Sequence, residues 1–118
     1  MILLGKYKDE DFANTIFNTM SGTITLESDV FFSQNVMLLT GRHNFESLDI
    51  ETIRCEVQQN RNIYIGKGTW LAGGCIVLGN VRIGKHCVVM SGSVVTKDVP
   101  DYCVVGGIPA KIVKKMEK

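Results

Sequence analysis

Few side chains in this 118-residue sequence are equipped for chemistry, and they are unevenly placed. There are two histidines, His43 and His86, and four cysteines, Cys55, Cys75, Cys87 and Cys103. No two cysteines form a CxxC pair, which argues against a zinc site, and two histidines do not supply a three-histidine metal centre. Ser91 stands inside SGS with no nucleophile-elbow signature around it, so its bland reading is a turn residue. His43 has a different setting. It opens residues 43–62, HNFESLDIETIRCEVQQNRN, a polar and charged stretch whose length in a compact domain points to function or disorder. An imidazole of ordinary pKa, about 6.5, is largely neutral at pH 7 and can take a proton from a hydroxyl. Such general-base help is worth about 10²–10⁴ in rate. Glu46, Asp49, Glu51, Glu56 or a backbone carbonyl can orient the ring, and the sequence does not choose among them.

What must position these residues is a repeat. From Ile65 to Val99 the text divides into sixes, IGKGTW LAGGCI VLGNVR IGKHCV VMSGSV VTKDV, headed by Ile65, Leu71, Val77, Ile83, Val89 and Val95. Fifth positions are small or apolar: Thr69, Cys75, Val81, Cys87, Ser93 and Val99. Neither the 3.6 period of a helix nor the 2.0 period of a strand gives a strict period of six. A solenoid does, with each block forming one flat side of a triangular coil and turning the same two side chains inward. Fourth positions then fall at corners, where Gly, Asn and Asp tolerate left-handed backbone: Gly68, Gly74 and Asn80 here, Asp29 and Asn35 earlier. His86 also falls at a corner, beside Lys85, and reads as solvated; Cys75 and Cys87 read as small buried hydrophobes.

The same phase appears upstream in LESDVF, FSQNVM and LLTGRH, but Leu38 to Ile65 is not a multiple of six, so an insertion separates two tracts. The expected organisation is a single domain: 14–42 as the first tract, 43–62 as a loop, 63–105 as the second tract and 106–118 as a capping tail. Residues 1–13 are expected to form an irregular lead-in or a cap over the first turn. Gly106–Gly107 is expected to make a turn. Trp70 takes a sixth position, outward or at a corner, and a tryptophan there suggests an interface or a ligand contact.

Composition sets bounds. With 45% hydrophobic residues the chain can bury a core, and a formal net charge of +1 gives no electrostatic case for nucleic acid. No apolar run approaches a bilayer span. The opening MILLG is too short for a secretory signal, and unpaired thiols fit a reducing, cytoplasmic setting.

IGKGTW, VRIGKHCVVMSGSVVTKDVPDYCVVGGIPAKIV and the upstream NTMSGTITLESDVFFSQNVMLLTGRH together resemble the hexapeptide-repeat acyltransferases, especially the maltose- and galactoside-type sugar O-acetyltransferases. The resemblance covers roughly residues 14–113. It implies an all-β, left-handed parallel β-helix, with acetyl-CoA as co-substrate, no metal, and a sugar hydroxyl as acceptor. It also implies a homotrimer with active sites between subunits. His43 takes the place of the general base. Gly73, Ser91, Thr96, Lys97 and Lys111 take the places of CoA contacts, and Asn18 and Trp70 those of acceptor-side residues. The sequence departs from the family at the second block position, where glycine is usual but only Gly66 and Gly84 keep it, and at Arg42, where a small hydroxyl residue is usual. The N-terminal helical segment of the sugar enzymes is absent from this sequence. Three other functions fit the same resemblance: acetylation of an antibiotic hydroxyl, N-acetylation of an amino-sugar nucleotide, and a catalytically silent trimeric scaffold.

Overall fold

Each six-residue block lays one side of a triangular prism. The computed structural model describes residues 1–116; the last two residues of the expected tail lie outside them. The chain enters through β1 (Ile2–Leu3), a 3-10 turn (Asp9–Phe12) and β2 (Ile16–Asn18). It then lays down β3 (Ile24–Leu26), β4 (Phe31–Phe32) and β5 (Met37–Leu39). After an excursion carrying α1 (Ile50–Cys55), the coil resumes with β6 (Ile63–Ile65), β7 (Trp70–Leu71) and β8 (Ile76–Leu78). It continues through β9 (Val81–Ile83), β10 (Val88–Val89) and β11 (Val94–Val95), and ends in β12 (Cys103–Gly107) and β13 (Ala110–Lys115).

From β2 to β11 every third strand stacks on the same face. The first face is β1-β3-β6-β9, the second β4-β7-β10-β12-β13, and the third β2-β5-β8-β11. All pairings among the coil strands are parallel, and β13 alone runs antiparallel, against β12. The block heads Leu26, Leu38, Ile65, Leu71, Val77, Ile83, Val89 and Val95 are buried, as are Val30, Val36, Cys75, Val81, Cys87 and Val99 at fifth positions. Burial drives this pattern: about 25 cal/mol per Å² of apolar surface is gained only if the same two positions of each block point inward. Thr69 and Ser93 share the interior by bonding backbone, Thr69 Oγ1 donating to the Gly84 carbonyl at 2.8 Å and Ser93 Oγ accepting from Gly107 N–H at 3.2 Å.

The corners behave as the sequence predicts. Asp29, Asn35, Asn80 and His86 have φ of 50–64°, and Gly68, Gly74 and Gly92 of 70–73°. At His86 the cost of a left-handed histidine is offset by stacking on Tyr102, with centroids 5.7 Å apart.

The lead-in acts as the cap. β1 extends the first face, and Tyr7, Phe12, Phe17 and Phe32 form an aromatic plug with centroids 5.3–5.9 Å apart. Tyr7 locks it by donating its hydroxyl proton to the Glu27 carbonyl and accepting from Val30 N–H at 3.0 Å. At the other end β13 covers the free edge of β12. The turn there is Ile108–Pro109 rather than Gly106–Gly107, which are the last residues of β12. Gly106 makes a close approach to Met90: a Cβ on it would lie 2.7 Å from Met90 Sδ and 3.3 Å from Met90 Cβ.

Outward side chains differ between faces. The first face shows Thr25, Tyr64 and Arg82 in register, with Tyr64 donating to the Glu27 carboxylate and the Arg82 guanidinium 3.9 Å over the Tyr64 ring. Holding its proton against Glu27, and then burial, push the Tyr64 hydroxyl above the usual tyrosine range. The second face shows Phe31, Trp70, Val88 and Val104 in one row; the third shows Ile16, Met37, Ile76 and Val94. One face is polar and two are apolar.

Candidate active site

His43 leaves the prism at the edge between the third and first faces, four residues after β5 ends. The root of its loop is tightly bonded. Asn18, ending β2, accepts on Oδ1 from Met20 N–H at 3.0 Å and Gly41 N–H at 3.1 Å, and its carbonyl accepts from Thr40 N–H and Oγ1. Buried Thr40 Oγ1 also accepts from Ser21 N–H at 3.1 Å, and Ser21 Oγ accepts from Arg42 N–H at 3.1 Å. The excursion doubles back on itself: His43 pairs antiparallel with Val57, Asn44 N–H donates to the Glu56 carbonyl, and Gln58 N–H donates to the Arg42 carbonyl at 2.8 Å. The loop is thus anchored at both ends, although its residues break the repeat.

The His43 side chain is exposed and makes no hydrogen bond among the described residues. Three of the four acidic candidates for orienting it are engaged elsewhere. Asp49 caps α1 by accepting from Thr52 N–H and Oγ1 at 3.1 and 2.8 Å, Glu56 accepts from Asn44 Nδ2 at 3.0 Å, and Glu51 meets the Cys55 thiol at 3.8 Å. The helix itself is a one-and-a-half-turn element with no buried residue, held by that cap.

The other expected site residues fall into two groups. Thr96 and Lys97 follow β11 and occupy the same third–first edge as Asn18 and His43, on a later coil. Gly73 and Ser91 occupy the edge between the second and third faces on successive coils, tied by Gly92 N–H donating to the Gly73 carbonyl at 3.0 Å. Lys111 lies opposite Gly106 in the next coil, so Gly73, Ser91 and Lys111 climb one edge in order. Trp70 sits on the second face, 43% exposed, with Nε1–H donating to Ser33 Oγ at 2.9 Å and its ring edge-on to Phe31 at 6.3 Å. A single chain therefore gathers Asn18, His43, Thr96 and Lys97 on one edge and Gly73, Ser91 and Lys111 on another.

Sequence reasoning missed the two apolar faces. The signal was in the sixth positions read every third block: Phe31, Trp70 and Val88 for one face, Met37, Ile76 and Val94 for the next. It also passed over Arg61, whose Nε–H donates to the Thr40 carbonyl at 3.1 Å beside the His43 root. Among the described residues no cluster of three histidine, cysteine or acidic groups is placed to hold a metal, and no helix is long and apolar enough to cross a membrane.

Residues 62–97 match the bacterial transferase hexapeptide family, six repeats. With its parallel triangular coil, the chain belongs to the hexapeptide-repeat acyltransferase family and has the left-handed β-helix fold. It is similar to the galactoside O-acetyltransferase of Lactococcus lactis, 36% identical over an alignment of 115 residues, with coverage of 92% of this chain and 54% of that protein. Among solved structures it is similar to a maltose O-acetyltransferase from Clostridium difficile, with 25% identity, a TM-score of 0.68, and coverage of 98% of this chain and 64% of that one. A galactoside acetyltransferase in complex with coenzyme A shares the fold, at 22% identity and a TM-score of 0.72 over 98% of this chain and 60% of its own. The chain spans about half the length of the curated relatives it matches.

Proposed function

We propose that this chain is an acetyl-CoA-dependent O-acetyltransferase acting on a sugar hydroxyl, with His43 as general base and direct transfer between the two substrates. The observation that carries the reading is the placement of His43. It stands at the root of a long excursion from the repeat, on an edge shared with Asn18, Thr96 and Lys97. The acceptor hydroxyl loses its proton to the neutral imidazole as its oxygen attacks the thioester carbonyl. The tetrahedral intermediate then collapses, the C–S bond breaks, and the leaving thiolate takes the proton back from the imidazolium. No covalent enzyme intermediate is needed, because holding both substrates together supplies the positioning term.

The donor-side residues Gly73, Ser91 and Lys111 climb a different edge, so the working unit in this reading is a homotrimer in which one chain's His43 edge faces a neighbour's donor edge. The apolar second and third faces give copies something to bury. A neighbouring chain would also supply the partner that the His43 ring lacks within its own. The setting we infer is cytoplasmic, with the four cysteines as thiols.

The test is calorimetric titration with acetyl-CoA, with the mass in solution measured in the same buffer. One acetyl-CoA bound per chain of a trimer is the expected result. A trimer that binds none would return the scaffold reading, and a monomer at micromolar concentration would refute the shared site.

A further inference from the structure

Arg42 and Arg61 bring two guanidinium groups to the His43 root that no carboxylate among the described residues neutralises. Arg42, immediately before His43 in the chain, has its guanidinium carbon 4.6 Å over the exposed Phe45 ring, and this is its only side-chain partner among the described residues. Arg61 is held by Nε–H on the Thr40 carbonyl, and its terminal nitrogens have no acceptor there either. Both side chains are half-buried, and neither makes an ion pair among the described residues. Burial, and secondly the like charge of Arg42, lower the Arg61 pKa from its ordinary value. Half-buried cations in mutual repulsion are a cost to the folded chain. Such a cost is relieved by an oxyanion, for which the planar guanidinium fork is the matched partner.

The fold holds these two residues in place. Arg42 N–H is fixed on Ser21 Oγ and its carbonyl accepts from Gln58 N–H, while Arg61 N–H donates to the Ser21 carbonyl at 2.9 Å. Ser21 thus ties both arginines, one from each end of the excursion. The third–first edge continues upward through Lys97, a third cation. Asp98, beside it, has one carboxylate oxygen occupied by Arg82 N–H at 2.8 Å on the first-face side.

We propose that the acceptor is an acidic saccharide, whose carboxylate or phosphate is held by Arg42 and Arg61 while a hydroxyl of the same molecule is presented to His43. This rests on the acetyltransferase reading of the His43 site and adds to it the charge class of the substrate. Arg42 and Arg61 are then specificity residues: they bind the part of the acceptor that does not react, and their effect falls on the choice between acidic and neutral sugars.

The experiment uses matched pairs, galacturonate against galactose and glucose 6-phosphate against glucose, with acetyl-CoA and the full chain. The wild-type protein is expected to favour at least one acidic member by about a hundredfold in kcat/KM, the effect of one or two charged hydrogen bonds. Arg42→Gln with Arg61→Gln should bring that acid-to-neutral ratio close to one. Arg61→Lys, which keeps the charge, should retain part of it. Arg42→Gln alone disturbs no side-chain hydrogen bond of the root, so it reads the ratio even where the double variant fails to fold. An unchanged ratio in the variants, or a wild type indifferent to the acid group, would overturn the proposal. So would a rise in KM for acetyl-CoA without a change in acceptor preference, which would assign the guanidinium groups to the phosphates of CoA. Calorimetric binding of the same four sugars without acetyl-CoA separates the two readings. Selective binding of the acidic members in a protein that transfers no acetyl group would support the anion site and sink the acetyltransferase assignment.

Discussion

Three glycines of the coil, changed one at a time to alanine, separate three physical roles that look alike in sequence. At Gly66 a Cβ would stand 2.4 Å from the Gly84 carbonyl carbon, 2.5 Å from its oxygen and 2.6 Å from Lys85 N. Carbon contacts are comfortable at about 3.5–4.0 Å, so the neighbouring coil must retreat by about 1 Å. That retreat stretches the bond from Gly66 N–H to the Ile83 carbonyl, now 2.8 Å, out of hydrogen-bond range. Overpacking strain of about 1–3 kcal/mol and a weakened buried hydrogen bond of about 1–3 kcal/mol together put Gly66→Ala at about 2–6 kcal/mol. Gly92 meets nothing within 4 Å, but its φ is 72°, so alanine costs only the left-handed conformation, about 1–2 kcal/mol. Gly73 has ordinary contacts, 3.5 Å to the Gln34 carbonyl oxygen and 3.9 Å to Ser33 Cβ, and is not among the positive-φ residues. The fold does not require glycine there.

The assay is urea unfolding of all three variants at one protein concentration, since association shifts the midpoint. The expected order of loss is Gly66→Ala, then Gly92→Ala, with Gly73→Ala at the wild-type midpoint. In the same preparations Gly73→Ala should raise KM for acetyl-CoA by about tenfold, the usual effect of one misplaced methyl group in a fitted site. A wild-type midpoint for Gly66→Ala would refute the coil-spacing argument. An unmoved KM in Gly73→Ala would remove that residue from the donor path.

The remaining predictions concern the base, the thiols and the faces. His43→Ala should lower turnover by at least about a hundredfold while acetyl-CoA still binds in calorimetry; unaltered turnover would end its role as base. Cys55 should be the one thiol that iodoacetamide labels in the native protein at pH 9, because Cys75, Cys87 and Cys103 are buried and burial pushes the Cys75 thiol up to about 12. Because the folded chain holds the Cys75 proton more tightly than the unfolded chain, stability should fall as pH rises from about 9 toward about 12, read by urea midpoints across that range. Ile76→Arg, on the outer side of the third face, should lower the mass in sedimentation while leaving the circular dichroism of the coil intact; an unshifted mass would show that this face covers no partner.

The period of six was legible because it is enforced by burial. Ile65, Leu71, Val77, Ile83, Val89 and Val95 share one environment, so their likeness is written directly into the sequence, and the corner residues repeat their backbone demand in the same way. A cap from residues 1–13 could be expected, but its aromatic plug was not legible, since Tyr7, Phe12 and Phe17 obey no period and meet only when the lead-in folds across the first coil. The position of the last turn was misread because a glycine pair has two uses, a turn and a close approach. Only the neighbouring Met90 shows that Gly106 serves the second. His43 could be singled out from its setting, but the charge of the edge around it could not be read from the sequence. Arg61 lies 18 residues away in sequence, at the far end of the excursion, and joins Arg42 only through Ser21.

The geometry of the prism also determines where chemistry can reside. Its interior accepts only small or aliphatic side chains, and two of its faces carry apolar rows. Along the sheets the backbone amides and carbonyls are consumed by neighbouring coils. The edges are different: there the chain leaves the ladder, side chains project freely, and an insertion can be accommodated without disturbing the coil. The edge between the third and first faces carries the long excursion, with Ser21, Asn18 and Thr40 spending their polar atoms to brace it. Part of this bracing closes the β2–β5 ladder and satisfies the buried Ser21 and Thr40, while the coil itself continues through Ile63 with its pairing to Ile24 intact. Its effect is to fix the backbone of residues 40–43 and 57–61, and hence the starting points of one imidazole and two guanidinium groups. The polar groups that the fold invests at this edge are therefore the physical reason to seek the acceptor there, and to expect the charge of that acceptor to be set by Arg42 and Arg61.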